Sequence, residues 1–134
     1  NAAVLRAELQ TIMQNYFGVF RKGEFMQDGI RKLEVLRERI KNVHLVDKSN
    51  AFNTARIEAL ELENLFEVAE ATAISAEARD ESRGAHARDD FRERDDENWL
   101  CHSMYFPEDK RVGKRAVNFK PKTVDTFEPK IRTY

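Results

Sequence analysis

FNTARIEALELENLFEVAEATAISAEARDES, from Phe52 to Ser82, contains neither glycine nor proline. Its apolar residues Ile57, Leu60, Leu62, Leu65, Phe66, Val68, Ala69 and Ile74 recur at helical steps, with alanines between them. Alanine lets a neighbouring helix approach closely and loses no side-chain entropy on folding. The stretch predicts one long helix, with Asp47, Ser49 and Asn50 upstream as candidate caps. Eight acids against two bases between Arg56 and Glu81 predict an acidic outer face. Arg79 and Arg83 followed by Gly84 read as the stop, with cations near the negative helix end and then glycine.

Two shorter helices precede it. From Ala2 to Tyr16, the positions Val4, Leu5, Leu9, Ile12, Met13 and Tyr16 form one apolar stripe, with Asn1 as N-cap. Gly18 and Gly23 bracket the break. From Glu24 to Val43, Met26, Ile30, Leu33, Leu36, Ile40 and Val43 form the second stripe. Gly29 lies inside it, at a cost of about 1 kcal/mol against alanine. Three striped helices with short connections pack as an antiparallel, spectrin-like up-down-up bundle over residues 1–84. The expected class is mainly α.

Residues 85–134 read as a charged loop and an extended tail on or near that bundle. RDDFRERDDE, Arg88 to Glu97, has Phe91 as its one uncharged residue and fits a solvated loop or a docking segment. WLCHSMYF, Trp99 to Phe106, favours a strand, and Arg115 to Phe119 a second, joined as a loose hairpin through Pro107 and Gly113. From Pro107 onward, eight bases face four acids, so the tail carries +4 and the first 106 residues −5. A basic tail can fold back onto the acidic helix or reach a partner.

The whole chain of 134 residues has a formal charge of −1, with 35% charged residues. It is long enough for one domain with a real core. No apolar run is long enough to span a membrane, and no signal peptide opens the chain. The near-neutral balance argues against generic nucleic-acid binding. One cysteine excludes a disulfide framework and a cysteine-rich zinc site. Asn1 in place of methionine predicts a processed chain or a piece of a longer one.

Candidate chemistry is sparse. His44 reads as a surface residue suited to the helix dipole. His86 fits a cap or packing contact, or else a cationic cluster with Arg83 and Arg88 that would bind a carboxylate or a partner subunit. Cys101 and His102 are strand neighbours on opposite faces, which disfavours a shared metal or a nucleophile pair; a buried, inert Cys101 is expected. No phosphate-binding glycine loop, metalloprotease motif or nucleophile elbow is present.

The segment from Asn53 to Tyr105 resembles the C-terminal region of the succinate dehydrogenase flavoprotein subunit, which related fumarate reductases share. ESRGAHARDDF, Glu81 to Phe91, is the most diagnostic piece, and RDDENWLCHSMYFP, Arg94 to Pro107, points to the bacterial branch. MQNYFGVFR from Met13, LRERIKNVHL from Leu36 and the terminal PKIRTY also fit. One departure stands out: the family pattern has proline where Arg92 stands, which leaves the loop path open.

The resemblance implies a parent enzyme that binds FAD in a large nucleotide-binding domain with a capping domain over the dicarboxylate site. It would oxidise succinate to fumarate and pass electrons through an iron–sulfur subunit to quinone, on the cytoplasmic face of the bacterial inner membrane. None of the flavin, substrate or proton-shuttle residues falls in this chain, so no catalytic, cofactor or metal residue is assigned. The expected role is docking against the upstream domains, the iron–sulfur subunit or a flavinylation assembly factor, with the isolated chain inactive. Arg83, His86 and Arg88 are the expected polar docking residues, and Trp99 and Tyr105 the apolar anchors. An exposed apolar patch is expected to mark the docking face. Composition and periodicity alone favour a rival: an independent helical interaction module without redox function.

Overall fold

The computed structural model describes residues 1–43 and 49–130. The elements are α1 (Ala2–Tyr16), β1 (Phe20–Arg21), α2 (Gly23–Lys41), α3 (Thr54–Ala78), β2 (Ala87–Arg88), α4 (Asp96–Trp99), β3 (Cys101–Phe106) and β4 (Arg111–Ala116). The fold is mainly α: a three-helix bundle carrying a short antiparallel hairpin.

The caps follow the chemistry of helix ends. Asn1 Oδ1 accepts from the Ala3 amide at 2.9 Å and opens α1. Asn53, not the expected upstream residues, caps α3 by accepting from the Arg56 amide at 3.0 Å. Ser49 instead donates to the Ala51 carbonyl, and Asn50 accepts from Arg56. Asp47 and His44 lie outside the described residues.

Side-chain pairs between helices fix the direction of each. Arg39, late in α2, meets Glu8, early in α1, at 2.6 Å. Gln27, early in α2, meets Glu77, late in α3, at 3.2 Å. Arg6 meets Glu61 at 3.4 Å, near the starts of α1 and α3. These pairings are those of an up-down-up bundle. Exposed pairs of this kind contribute little stability each. The core beneath them does the holding: Leu5, Leu9 and Ile12 of α1, Met26, Leu33, Leu36 and Ile40 of α2, and Leu62, Phe66 and Ala73 of α3 are all buried. Each large apolar side chain buried there is worth about 1.5–3 kcal/mol.

Gly29 has a packing reason. A Cβ at that position would lie 2.5 Å from Phe17 Cε2 and 2.6 Å from Tyr16 Cβ. Absence of a side chain lets the end of α1 lie against α2, which offsets the helix-propensity cost.

Several expectations are corrected. First, α3 ends at Ala78, not at Ser82, and Gly84 is not its stop. Arg79 is already extended, and Gly84, at φ +57°, turns the chain between the bridged residues Arg83 and His86. A distant guanidinium caps the helix instead, as shown below. Second, the outer face of α3 is mixed rather than acidic throughout. Glu61 pairs with Arg6, Glu67 and Glu70 pair with Arg37, and Glu63 is exposed with no ion pair among the described residues. Ile57 (56%), Leu60 (54%) and Val68 (66%) are left facing outward. Third, the hairpin is tight. Phe106 pairs with Arg111, the turn spans 107–110 with Lys110 at φ 53°, and Gly113 sits inside β4 rather than in the connector. Fourth, the first strand begins at Cys101, because Asp95 caps the one-turn helix α4 before it, accepting from the Asn98 amide at 3.0 Å. Cys101 is half-buried, not buried.

The basic C-terminal half reaches α3 through the hairpin turn: Lys110 Nζ lies 3.1 Å from the buried carboxylate of Glu70. The parallel pair β1–β2, with Phe20 opposite Ala87 and Arg21 opposite Arg88, had no signal in the sequence pattern.

Candidate functional site

The segment between α3 and α4 is organised around Arg88. Its side chain is almost completely buried. Nη1 donates to the carbonyls of Ala76, Glu77 and Arg79 at 3.4, 2.9 and 3.1 Å, which are the orphan acceptors at the C-terminus of α3. Nε and Nη2 meet Asp90 in a bidentate fork at 2.8 and 2.9 Å. Asp90 also accepts from the Gly23 amide at the start of α2, at 2.9 Å. One Arg–Asp pair therefore satisfies the end of one helix and the start of another. The Arg88 fork holds the Asp90 carboxyl well below the usual carboxylate range, helped by the Gly23 amide.

A second buried carboxylate, Glu81, anchors the other side. Burial alone would raise it, but hydrogen bonds from Arg83 (2.9 and 3.1 Å), the Asp95 amide (2.9 Å) and Arg79 outweigh that and hold it ionised. Arg83 also reaches Asp96 at 2.6 Å. Ser82 closes the loop. Its hydroxyl accepts from the Arg88 amide at 2.8 Å and donates to the Phe91 carbonyl at 2.7 Å, and its amide donates to Glu93 at 3.1 Å. These bonds pin the chain on both sides of Arg92, so the loop path is set without proline.

His86 lies between two partners. Arg21 Nη1 is 2.9 Å from Nδ1, and Nε2 is 3.0 Å from the Arg79 carbonyl. A guanidinium can only donate and a carbonyl can only accept, so the proton sits on Nε2 and the ring is neutral. Burial pushes the imidazole down, and the nearby Arg21, Arg88 and Arg79 cations reinforce it against the carbonyl.

The expected cationic trio shares one loop, and all three residues line one cleft, but they differ in state. Arg88 is inside, Arg83 is held by Glu81 and Asp96, and His86 is uncharged. Trp99 is half-buried, with Lys114 Nζ 3.8 Å and Arg79 5.2 Å from its ring centroid. Tyr105 lies on the far side of the domain and lines an apolar groove with Val68, Ala71, Thr72 and Pro107 of α3 and the hairpin. Its hydroxyl is buried with no hydrogen-bond partner among the described residues, and burial, with Glu70 and Glu67 nearby, raises its pKa. Arg21, Arg79, Glu81 and Asp90 are the organising residues that sequence reasoning missed. The signal available was the alternation of sign in RDESR and in RDD.

Among the described residues, no three histidine, cysteine or acidic side chains gather as a metal site. His102 is exposed while Cys101 is half-buried, as strand alternation requires. No helix of the described residues is long and apolar enough to cross a membrane.

Comparison with known proteins gives this arrangement a lineage. Residues 6–134 match the family model described as fumarate reductase flavoprotein C-term. The chain is 53% identical over 132 residues to the succinate dehydrogenase flavoprotein subunit of Coxiella burnetii, covering 98% of this chain and 22% of that protein. Against the mitochondrial succinate dehydrogenase [ubiquinone] flavoprotein subunit of Oryza sativa it is 42% identical over 134 residues, covering 97% of this chain and 21% of that one. A solved E. coli quinol fumarate reductase chain superposes with a TM-score of 0.81 at 39% identity, covering 96% of this chain and 22% of that chain. A quinol–fumarate reductase determined with menaquinol molecules gives 0.79 at 40% identity, covering 92% and 22%. The chain therefore spans about a fifth of the length of the relatives it matches. With the bundle, the hairpin and the Arg88-centred loop accounted for, the match over nearly every residue leaves one conclusion: the chain belongs to the succinate dehydrogenase/fumarate reductase flavoprotein family and is a C-terminal domain of that family.

Proposed function

We propose that this domain is a structural brace in a flavoprotein subunit that oxidises succinate to fumarate with FAD. That subunit would pass electrons to an iron–sulfur partner and on to quinone, in a complex on the cytoplasmic face of the bacterial inner membrane. Residues 1–84 supply the bundle, and residues 85–134 the loop and tail that extend its docking surface. Trp99 and Tyr105 act as apolar anchors. Arg83 and His86 present the loop, which Arg88 holds from beneath. The upstream flavin and capping domains are the first partners, with the iron–sulfur subunit and a flavinylation factor beyond them.

FAD is the hydride acceptor in such a subunit, and the start of α2 does not fit a phosphate of it. The amide of Gly23 opens a helix, which is where a phosphate would bind, but Asp90 already fills the place. A Cβ at Gly23 would meet Asp90 Oδ2 at 2.8 Å, so the glycine makes room for a carboxylate of this chain. No step of the reaction is assigned to these residues.

The observation that carries the reading is the outward face of α3. Ile57, Leu60 and Val68 lie exposed on one side of a helix on which Glu61 and Glu67 are held in ion pairs with neighbouring helices. Large apolar side chains left outward on one side of a helix are the mark of an interaction surface. The test is Val68→Glu, placed in the whole subunit and in the isolated chain. The expected result is a lowered thermal midpoint of the whole subunit, with the isolated chain unchanged. Equal stability of both whole subunits overturns the bracing role and favours the independent module.

A further inference from the structure

Among the described residues, the tail carries most of the cations that form no ion pair. Arg115, Lys120, Lys122 and Lys130 are exposed, and none forms an ion pair among the described residues. By contrast, the arginines of the Glu81 and Asp90 networks are all paired. Between Lys114 and Lys130 five bases face two acids, Asp125 and Glu128.

Apolar side chains alternate with these cations and are equally unused. Phe127 is 83% exposed and Val124 67%. From Val117 to Lys130 no backbone–backbone hydrogen bond forms among the described residues; the Lys120 amide bonds only to the Asn118 side chain, at 2.9 Å. Pro121 and Pro129 fix φ locally, which lowers the entropy lost when such a segment is ordered on a partner.

The described part of the tail reaches a cleft. Pro129 and Lys130 line this cleft of about 750 Å³ together with Phe20, Arg92 and His86, and with the acids Asp89, Glu93 and Asp96. Phe20 projects from β1 with 77% of its surface exposed. Arg92 is exposed and uses only its Nε, on the Asp89 carbonyl at 3.3 Å. Exposed aromatics beside arginine and lysine, with open backbone donors and acceptors, are the materials of an extended-peptide interface.

The geometry points to a docking strip for an acidic polypeptide surface of another subunit, formed by the tail from Asn118 to Lys130 with Phe20 and Arg92 of the cleft it reaches. The occupant is acidic because the strip's cations form no ion pair with any described carboxylate, and Asp96 of the cleft is already paired with Arg83 and Arg94. It bears apolar residues because Phe20, Val124 and Phe127 otherwise remain in water. The strip is separate from the α3 face. It rests on the reading of the chain as part of a multi-subunit assembly, whereas the Val68 substitution tests bracing within the flavoprotein subunit.

The experiment places a photo-crosslinking benzoylphenylalanine at position 127 of the complete flavoprotein subunit, purified with its partner subunits. Irradiation is expected to join position 127 to an Asp- and Glu-rich peptide of another subunit. The yield is expected to fall at least about fivefold in the Lys120→Glu/Lys122→Glu/Lys130→Glu variant and about twofold in Lys130→Glu alone. Raising salt from about 0.05 to 0.5 M shortens the screening length severalfold and is expected to act in the same direction. Lys130→Glu, a single exposed change, guards against a triple variant that fails to fold. Capture only within the flavoprotein chain, capture indifferent to charge reversal, or no capture from the intact assembly each overturns the proposal. A retained crosslink in a Val68→Glu subunit separates this strip from the α3 interface.

Discussion

Arg21 donates to His86 Nδ1 across sixty-five positions of sequence, and this bond exists only while the imidazole is neutral. Protonation would place a hydrogen on the acceptor nitrogen and a positive charge beside Arg21, Arg79 and Arg88. A histidine whose folded pKa lies below its unfolded value of about 6.5 contributes stability that is complete above that pH. The contribution is lost as pH falls from there through the folded pKa, because the unfolded state binds the extra proton. The thermal midpoint is therefore expected to decline from about pH 6.5 toward 5. His86→Gln, which can still accept from Arg21, should flatten that decline. A wild-type profile flat across this window would refute the assignment.

Arg88→Lys should destabilise the domain by about 3 kcal/mol in chemical denaturation, since removing one partner of a buried pair costs about 3–5 kcal/mol and Asp90 retains some solvent. An ammonium cannot make the fork to Asp90 and also reach the carbonyls of Ala76, Glu77 and Arg79. The double variant Arg88→Lys/Asp90→Asn is expected to cost much less than the two single changes added together. Simple additivity would show that the two residues are not coupled.

Gly29→Ala sets helix propensity against packing. Propensity favours alanine by about 1 kcal/mol. The new methyl would meet the ring of Phe17 and the Cβ of Tyr16 inside normal contact distance, and overpacking of this kind costs about 1–3 kcal/mol. The net expectation is destabilisation, with partial rescue by Phe17→Leu. A stabilised Gly29→Ala variant in thermal melts would mean that the end of α1 moves aside freely.

Tyr105→Phe removes a hydroxyl that is buried without a partner. An unsatisfied buried polar group costs about 1–3 kcal/mol, so the isolated chain is expected to gain up to about 1 kcal/mol on losing it. A loss of stability would show that the hydroxyl is hydrogen-bonded in solution.

The bundle was legible because Leu5, Leu9, Leu33, Leu36, Leu62 and Phe66 each answer to a helical period, and Asn1 is a strong N-cap type. The end of α3 was not legible. Arg79, Arg83 and Gly84 form a good local stop signal, but the Arg88 guanidinium claims the last carbonyls first, and no local rule anticipates a cap from nine to twelve residues away. The outer face of α3 misled for a related reason. Counting its acids gave the right charge but not the exposed Ile57, Leu60 and Val68 among them, since the positions of Arg6 and Arg37 on neighbouring helices decide where Glu61 and Glu67 turn. Of the candidate docking residues, Arg83, His86 and Arg88 all fall in the single loop between α3 and α4. The sequence could not separate an arginine that faces solvent from one that holds a helix end, because both read as cations in a charged run.

The two-residue ladder of β1 and β2 also has a kinetic meaning. It joins the segment after α1 to the segment after α3, so its ends meet only when all three helices have docked. Closing so long a loop for so few hydrogen bonds is entropically unfavourable in isolation. The ladder therefore forms late, after the nucleus, and mutations at Phe20 or Ala87 should speed unfolding while leaving the folding rate nearly untouched. The Arg88 network would then report that the bundle is complete, locking a topology that the helices have already chosen.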